Sequence, residues 1–302
     1  MTTATTATQK LSPRQRLRQR LTSGPMIAAP GIYDAFGARI VEQAGFECAY
    51  MTGNGVSASL LGRPDVGLLD LGLLAAHAHR AAACIEIPLI CDADTGYGNA
   101  VNVAHTVREF EAAGVAAIHI EDQVAPKRCG HLPGSRPVIS LEEHAGKIEA
   151  AVAARRDADF IIIARTDSAE SRGLEEAILR AQAFVKAGAD VAFVELKAGP
   201  TILDDLKRIA AAVPAPCLVN ADAGGKLAEL TADEIGALGM RLAIYPGLAR
   251  CAAGFAIQNA CAALKRDGNV RSVRDGMLTP QQYNAALGLT EIEEWEKKYL
   301  KM

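Results

Sequence analysis

Asp92-Ala93-Asp94 and Glu121 bring three carboxylates to the ends of two successive apolar runs. Hard oxygen donors suit Mg2+, with Mn2+ as the alternative, because such a cation keeps several waters while it grips a bidentate substrate. Along an extended chain Asp92 and Asp94 point to the same side, so the three acids can face one point. Capping helices or pairing with Arg and Lys is the competing use of these acids. No His/Cys set has the spacing of a zinc site. Lys127-Arg128-Cys129-Gly130-His131 is a second constellation, a thiol flanked by two cations, a glycine and a histidine. Such surroundings lower a thiol pKa and make it a usable proton donor or nucleophile. A surface-loop cysteine with solvated basic neighbours is the competing reading.

Arg165 can clamp a carboxylate in two-pronged fashion or pair with a strand-end acid such as Glu195. Thr52-Gly53-Asn54-Gly55 offers a hydroxyl, an amide and exposed backbone N–H groups to a second carboxylate. Together they describe an anionic substrate. Tyr33, Tyr50 and Asp65 are candidate bases by position, although a lone loop aspartate such as Asp65 is more often a turn residue. His119 reads as a satisfied core histidine, and His77, His79, His105 and His144 as surface or packing residues of helices.

These clusters each follow a short run rich in Ile, Val and Ala with little polar alternation: 48–51, 87–91, 116–120, 160–164, 191–194 and 217–219. Buried parallel strands read this way. Runs at 26–29 and 242–245 make eight, separated by helical patterns, three of which end in Ala-Gly at Gly45, Gly114 and Gly188. Eight βα units in series predict a closed (β/α)8 TIM barrel, on which chemistry collects at the C-terminal ends of the strands. The expected organisation is an N-terminal tail and helix over 1–22, the barrel over 23–268 and a helical extension over 269–302. The extension packs either on a neighbouring subunit or on its own barrel. The irregular segment from Gln123 to Ser140 is a candidate lid.

Half of the 302 residues are hydrophobic and the net charge is −3, which argues against a nucleic-acid or membrane surface and for a small-molecule partner. With no apolar signal core and no spanning run, a cytoplasmic location is expected. Cys48, Cys84, Cys91, Cys217, Cys251 and Cys261 lie in apolar elements and are expected to be buried thiols.

Asp92 to Gly98, Ile120-Glu121-Asp122-Gln123 and Lys127 to His131 together resemble the isocitrate lyase and phosphoenolpyruvate mutase superfamily, with similarity from Met26 to the C-terminus. The Lys-Arg-Cys-Gly-His stretch resembles its carbon–carbon lyase branch, which includes 2-methylisocitrate lyase, 2,3-dimethylmalate lyase and oxaloacetate hydrolase. That resemblance implies C-terminal helices exchanged within a homotetramer, and a Cys129 loop that closes over substrate. It also implies Mg2+ held directly at Asp94 and largely through water at Asp92 and Glu121. Two departures stand out: Thr52 replaces the family's serine, and Ala223 stands where Asn-x-x-Glu-x-Gly has its glutamate. Asp222, one residue earlier, points the other way along an extended chain.

The resulting expectation is Mg2+-dependent cleavage of a 2-hydroxy di- or tricarboxylate to pyruvate and a second carboxylic acid. Cys129 would protonate the departing carbon, Arg165 would stabilise its charge, and His131 and Glu195 would organise the site. Tyr50, Thr52, Gly53, Asn54, Asp65, Gly130 and Asn220 are the expected substrate-binding residues. Oxaloacetate hydrolysis, phosphonate chemistry and a vestigial, non-enzymatic barrel are the rival readings.

Overall fold

The computed structural model describes residues 10–130, 132–134 and 136–300. Eight parallel strands close into a barrel in sequence order. They are β1 (Ile27–Ile32), β2 (Ala49–Met51), β3 (Leu89–Asp92), β4 (Ala117–Glu121), β5 (Ile161–Thr166), β6 (Val191–Val194), β7 (Cys217–Asn220) and β8 (Leu242–Tyr245). The eight expected strands are all present. Closure is made by β1 and β8, which pair from Ile27 with Leu242 to Pro30 with Tyr245.

Strand periodicity sorts the side chains. Tyr50, Ile90, Ala117, Ile161, Ile163, Val191, Phe193, Leu218, Leu242 and Ile244 form one buried interior cluster. Their sequence neighbours Met51, Cys91, Ile118, Ile162, Ala192, Val219 and Ala243 pack outward under the helices. Because successive residues alternate faces, the inward positions one step further along are Thr52, Asp92, Arg165, Glu195 and Asn220, with His119 and then Glu121 above Ala117. The polar cluster at the mouth is thus the top layer of an otherwise apolar barrel. At the opposite end the helix Pro13–Thr22 closes the barrel. A Ser12–Gln15 capping box and Pro13 at its start set this helix, and Leu17 and Leu21 enter the interior cluster.

One expectation needs correction, and one helix was not foreseen. Thr52 caps a helix over Gly53–Leu61, accepting from the Gly55 N–H. Its small residues carry little amphipathic signal, which hid the helix. Cys251 and Cys261 are exposed and Cys84 is half-buried; only Cys48, Cys91 and Cys217 of the six are buried. The first two belong to the helix Leu248–Asp267, which leaves Phe255 and Ile257 more than 60% exposed in a single chain. His144 is a packing residue, one of the two uses expected for it, fully buried against the Phe184 ring at 4.5 Å between centroids.

Beyond the barrel stand the helices Pro280–Ala286 and Leu289–Tyr299. The first packs on its own barrel: Arg39 Nε and Gln43 Nε2 each donate to the Ala286 carbonyl at 3.0 Å, and Tyr283 lies 5.4 Å from Phe36. The second leaves Trp295 and Tyr299 exposed. Among the described residues no helix is long and apolar enough to cross a membrane.

Candidate active site at the mouth of the barrel

After β3 the chain does not stay extended. Asp94 takes a left-handed conformation (φ 48°) and donates its N–H to Asp92 Oδ1 at 2.9 Å. The two carboxylates therefore converge through a turn, rather than through the strand alternation expected. Asp tolerates this conformation because its short side chain bonds locally. Gly96 follows at φ 81°, where a Cβ would lie 2.4 Å from Val103 Cγ2, so only glycine fits. Gly53 brings the chain after β2 equally close: a Cβ there would stand 2.8 Å from Asp92 Oδ2.

The ammonium of Lys127 fills the point of convergence. It lies 2.6 Å from Asp65 Oδ2, 2.8 Å from Asp94 Oδ1 and 3.9 Å from Asp92 Oδ2, all four side chains being buried. Burial alone would lower the Lys127 pKa, but Asp94, Asp92, Asp65 and Glu121 outweigh it and hold the ammonium charged. Burial raises Asp94 to about 7 with Asp92 and Asp65 adding to it, against the pull of Lys127. Burial also opposes ionisation of Asp92, yet Lys127, His119 and Arg165 together hold it below the usual range. Three acids thus share one fixed cation.

Glu121 does not join them, contrary to the expected trio. It leans to Arg165 Nε at 3.3 Å, and its Oε1 is buried with no hydrogen-bond partner. Among the described residues no group of three or more His, Cys, Asp or Glu forms a ready cage for an ion. A Mg2+ ion does not require one, since it typically takes one or two carboxylates and retains waters. The surplus acids around Lys127 and the orphaned Glu121 oxygen fit such a cation.

On the β5 side the charges balance. Arg165 donates Nε and Nη2 to Asp167 at 3.0 and 2.9 Å and lies over the Phe193 ring at 5.0 Å. Arg136 donates to the same carboxylate at 2.6 Å. Behind it Asp122 accepts from the Asp167 N–H, the Thr166 hydroxyl and Arg180 at 2.7 to 3.0 Å. Arg165 is therefore paired, with Asp167 and Glu121 first and Glu195 only at 3.8 Å. Glu195 accepts from Asn220 Nδ2 at 3.3 Å, and burial raises its pKa against the pull of Arg165.

Cys129 arrives on the segment after β4. Its N–H donates to the Asp65 carbonyl at 3.1 Å, and Asn54 Nδ2 lies 3.3 Å from its Sγ. Asp65 is thus a buried anchor of the Cys129 segment and not a mere turn residue. A Cβ added to Gly130 would lie 3.5 Å from Glu195 Oε1, which places this segment across the mouth. Lys127 spends its charge on the acids and Arg128 reaches the Pro133 carbonyl, so the Lys127 charge expected beside the thiol is shared with carboxylates. His131 lies outside the described residues.

Tyr50, Thr52, Asn54, Asp65, Asp92, Glu121, Cys129, Gly130, Arg165, Glu195 and Asn220 line one cavity of about 40 Å³ together with Lys127 and Arg250. As the Cys129 segment stands, that is room for a few waters. Asp94 and Gly53 lie just beneath, and Tyr33 is not in the lining. Tyr50 donates to or accepts from His119 Nε2 at 2.8 Å, so His119 is a core histidine as expected but only half satisfied, its buried Nδ1 having no partner. Burial lowers His119 to about 4 and pushes Tyr50 well above 10, so the imidazole is neutral and the phenol protonated. Sequence reasoning missed the roles of Lys127, Asp167, Arg136 and Arg250. Lys127 stood inside a quoted motif and Asp167 stands two residues after Arg165, but no spacing rule gave their partners.

A family model described as phosphoenolpyruvate phosphomutase matches residues 17–265. The 2,3-dimethylmalate lyase of Eubacterium barkeri is 44% identical over 94% of this chain and 97% of its own. Among solved structures, oxaloacetate acetylhydrolase in complex with 3,3-difluorooxalacetate superposes with a TM-score of 0.88 at 36% identity, covering 95% of this chain and 97% of that one. Phosphonopyruvate hydrolase in complex with oxalate and Mg2+ gives 0.86 at 33%, covering 96% and 100%. With the barrel, the acid pair and the cysteine segment in place, the chain belongs to the phosphoenolpyruvate phosphomutase family, within the isocitrate lyase and phosphoenolpyruvate mutase superfamily, and is an enzyme like its lyase members.

Proposed function

We propose that the protein is a Mg2+-dependent lyase that cleaves the C2–C3 bond of a 2-hydroxy di- or tricarboxylate, giving pyruvate and a second carboxylic acid. The observation that carries this reading is Cys129, held by Asp65 and Asn54 on a cavity that Asp92, Arg165 and Glu195 also line, with Asp94 just beneath. Similarity to a dimethylmalate lyase over nearly the whole chain supports it.

Asp92, Asp94 and Glu121 would hold the ion. Bound there, Mg2+ supplies a Lewis acid for the 2-hydroxyl and its carboxylate. The residues of this chain do the rest. Of the candidate bases, Tyr33 stands outside the cavity and Tyr50 keeps its proton, which leaves Asp65 to take the hydroxyl proton. As C2–C3 breaks, its electron pair passes to C3 as an enediolate. Arg165 and the Thr52 hydroxyl stabilise that charge, fixed donors in a dry site costing no reorganisation. The Cys129 thiol then gives its proton to C3. Asn220 and Arg165 orient Glu195, which lies beside Gly130 of the cysteine segment.

The reading includes a homotetramer in which the segment 280–300 and the exposed face of Leu248–Asp267 are covered by a partner. A monomer in sedimentation equilibrium at micromolar concentration contradicts that part. The test of the activity is pyruvate release, with Mg2+, from 2-methylisocitrate, 2,3-dimethylmalate and the simpler 2-methylmalate, beside oxalate formation from oxaloacetate. Oxalate without pyruvate would assign the protein to hydrolysis instead.

A further inference from the structure

Arg250 is a cation that the proposed reaction leaves unused. It is the third residue of the helix Leu248–Asp267 and lines the cavity beside Ile244, Pro246, Glu195 and Asn220. This is the β7–β8 side of the mouth, across the barrel from β3 and its acids. The Arg250 Nε is buried without a hydrogen-bond partner, and among the described residues no carboxylate forms an ion pair with it. Asp222, the acid beside it, spends Oδ2 on the Gly247 N–H. A Cβ built at Gly247 would lie 2.9 Å from that oxygen and 3.5 Å from Arg250 Nη2, so acid and guanidinium flank one stretch of backbone without pairing.

The buried cations of the site differ. Lys127 sits among Asp65, Asp92 and Asp94, and Arg165 is gripped by Asp167. Arg250 is half-buried, with its Nε unpartnered against the cavity, and its planar fork matches a carboxylate in two-pronged fashion. An anion from outside would settle the charge.

We propose that Arg250 is a specificity-determining residue that receives a carboxylate at the far end of the substrate, so that the preferred substrate is a 2-hydroxy tricarboxylate. The proposal rests on the lyase reading. In it the acid pair takes the hydroxy acid end, Arg165 with Thr52 takes the carboxylate next to the breaking bond, and Arg250 takes the third. The second product is then a dicarboxylic acid.

The test compares kcat/KM for 2-methylisocitrate and 2,3-dimethylmalate in the wild type, Arg250→Gln and Arg250→Lys, with thermal melts to verify folding. The wild type should prefer the tricarboxylate. Arg250→Gln should lower the ratio of the two kcat/KM values about tenfold to hundredfold, mainly through KM, as loss of a charge-assisted pair does. Arg250→Lys should recover part of the ratio. An unchanged ratio in Arg250→Gln, or a wild type that prefers the dicarboxylate, overturns the assignment. If the wild type cleaves neither compound, the lyase reading fails, and calorimetry with the unreactive tricarballylate and glutarate decides the subsite separately. A preference for tricarballylate that Arg250→Gln abolishes upholds it, and equal binding by both proteins overturns it.

Discussion

The two halves of the barrel mouth solve opposite electrostatic problems. On the β3 side three buried acids share the single ammonium of Lys127, and Asp94 is pushed up to about 7. On the β5 side Arg165 and Arg136 converge on Asp167, which Asp122 and Arg180 back in turn. The first half holds more negative charge than its fixed cation neutralises, as suits an exchangeable cation and a moving proton. The second is closed on itself and holds one guanidinium still. The side proposed to hold the cation is left unbalanced, and the side that fixes Arg165 is balanced.

Removing an acid from each half should therefore have unlike consequences. Asp94→Ala is expected to abolish turnover, by at least about 10³-fold given what a metal-bound carboxylate supplies, while the melting temperature holds or rises because repulsion is relieved. Turnover by that variant in chelated buffer would contradict the cation assignment. Asp167→Ala should instead cost about 3–5 kcal/mol of stability, since two buried guanidinium groups lose their shared partner. Denaturant unfolding checks this, and a change under about 1 kcal/mol would remove the contrast between the halves.

A smaller effect comes from a titrating group outside both halves. His144 is buried and its pKa is lowered to about 3 by burial first, with Lys147 and Arg180 adding. The unfolded chain binds this proton from about pH 6.5 downward and the native protein does not, so stability falls as pH drops through that window. From pH 7 to pH 5 the loss is about 2 kcal/mol. His144→Leu should flatten that limb of the unfolding profile, and an unaltered slope would show that other groups carry it.

The barrel was legible because its strands are short and apolar and six of them lead into a polar cluster, as Ile161 to Ile163 before Arg165 shows. Strict alternation then placed Asp92, Glu121, Arg165, Glu195 and Asn220 in one layer. What escaped the sequence are contacts set by tertiary approach. Nothing in Asp92-Ala93-Asp94 signals that Asp94 turns left-handed, and no spacing says that Lys127 reaches 62 residues back to Asp65. The helix Gly53–Leu61 hid behind two glycines and two serines, and Cys251 and Cys261 lie on a helix whose apolar residues face outward in one chain. Periodicity reports that a residue is apolar, not which body covers it.

The central claim is that Cys129 donates the proton that completes cleavage, and single-turnover kinetics of Cys129→Ser test it most directly. The account predicts that this variant retains substrate and Mg2+ binding and loses kcat by about 10²–10⁴-fold, as removal of a positioned general acid does. Cleavage at the wild-type rate would contradict it and leave Cys129 as a residue of the covering segment alone.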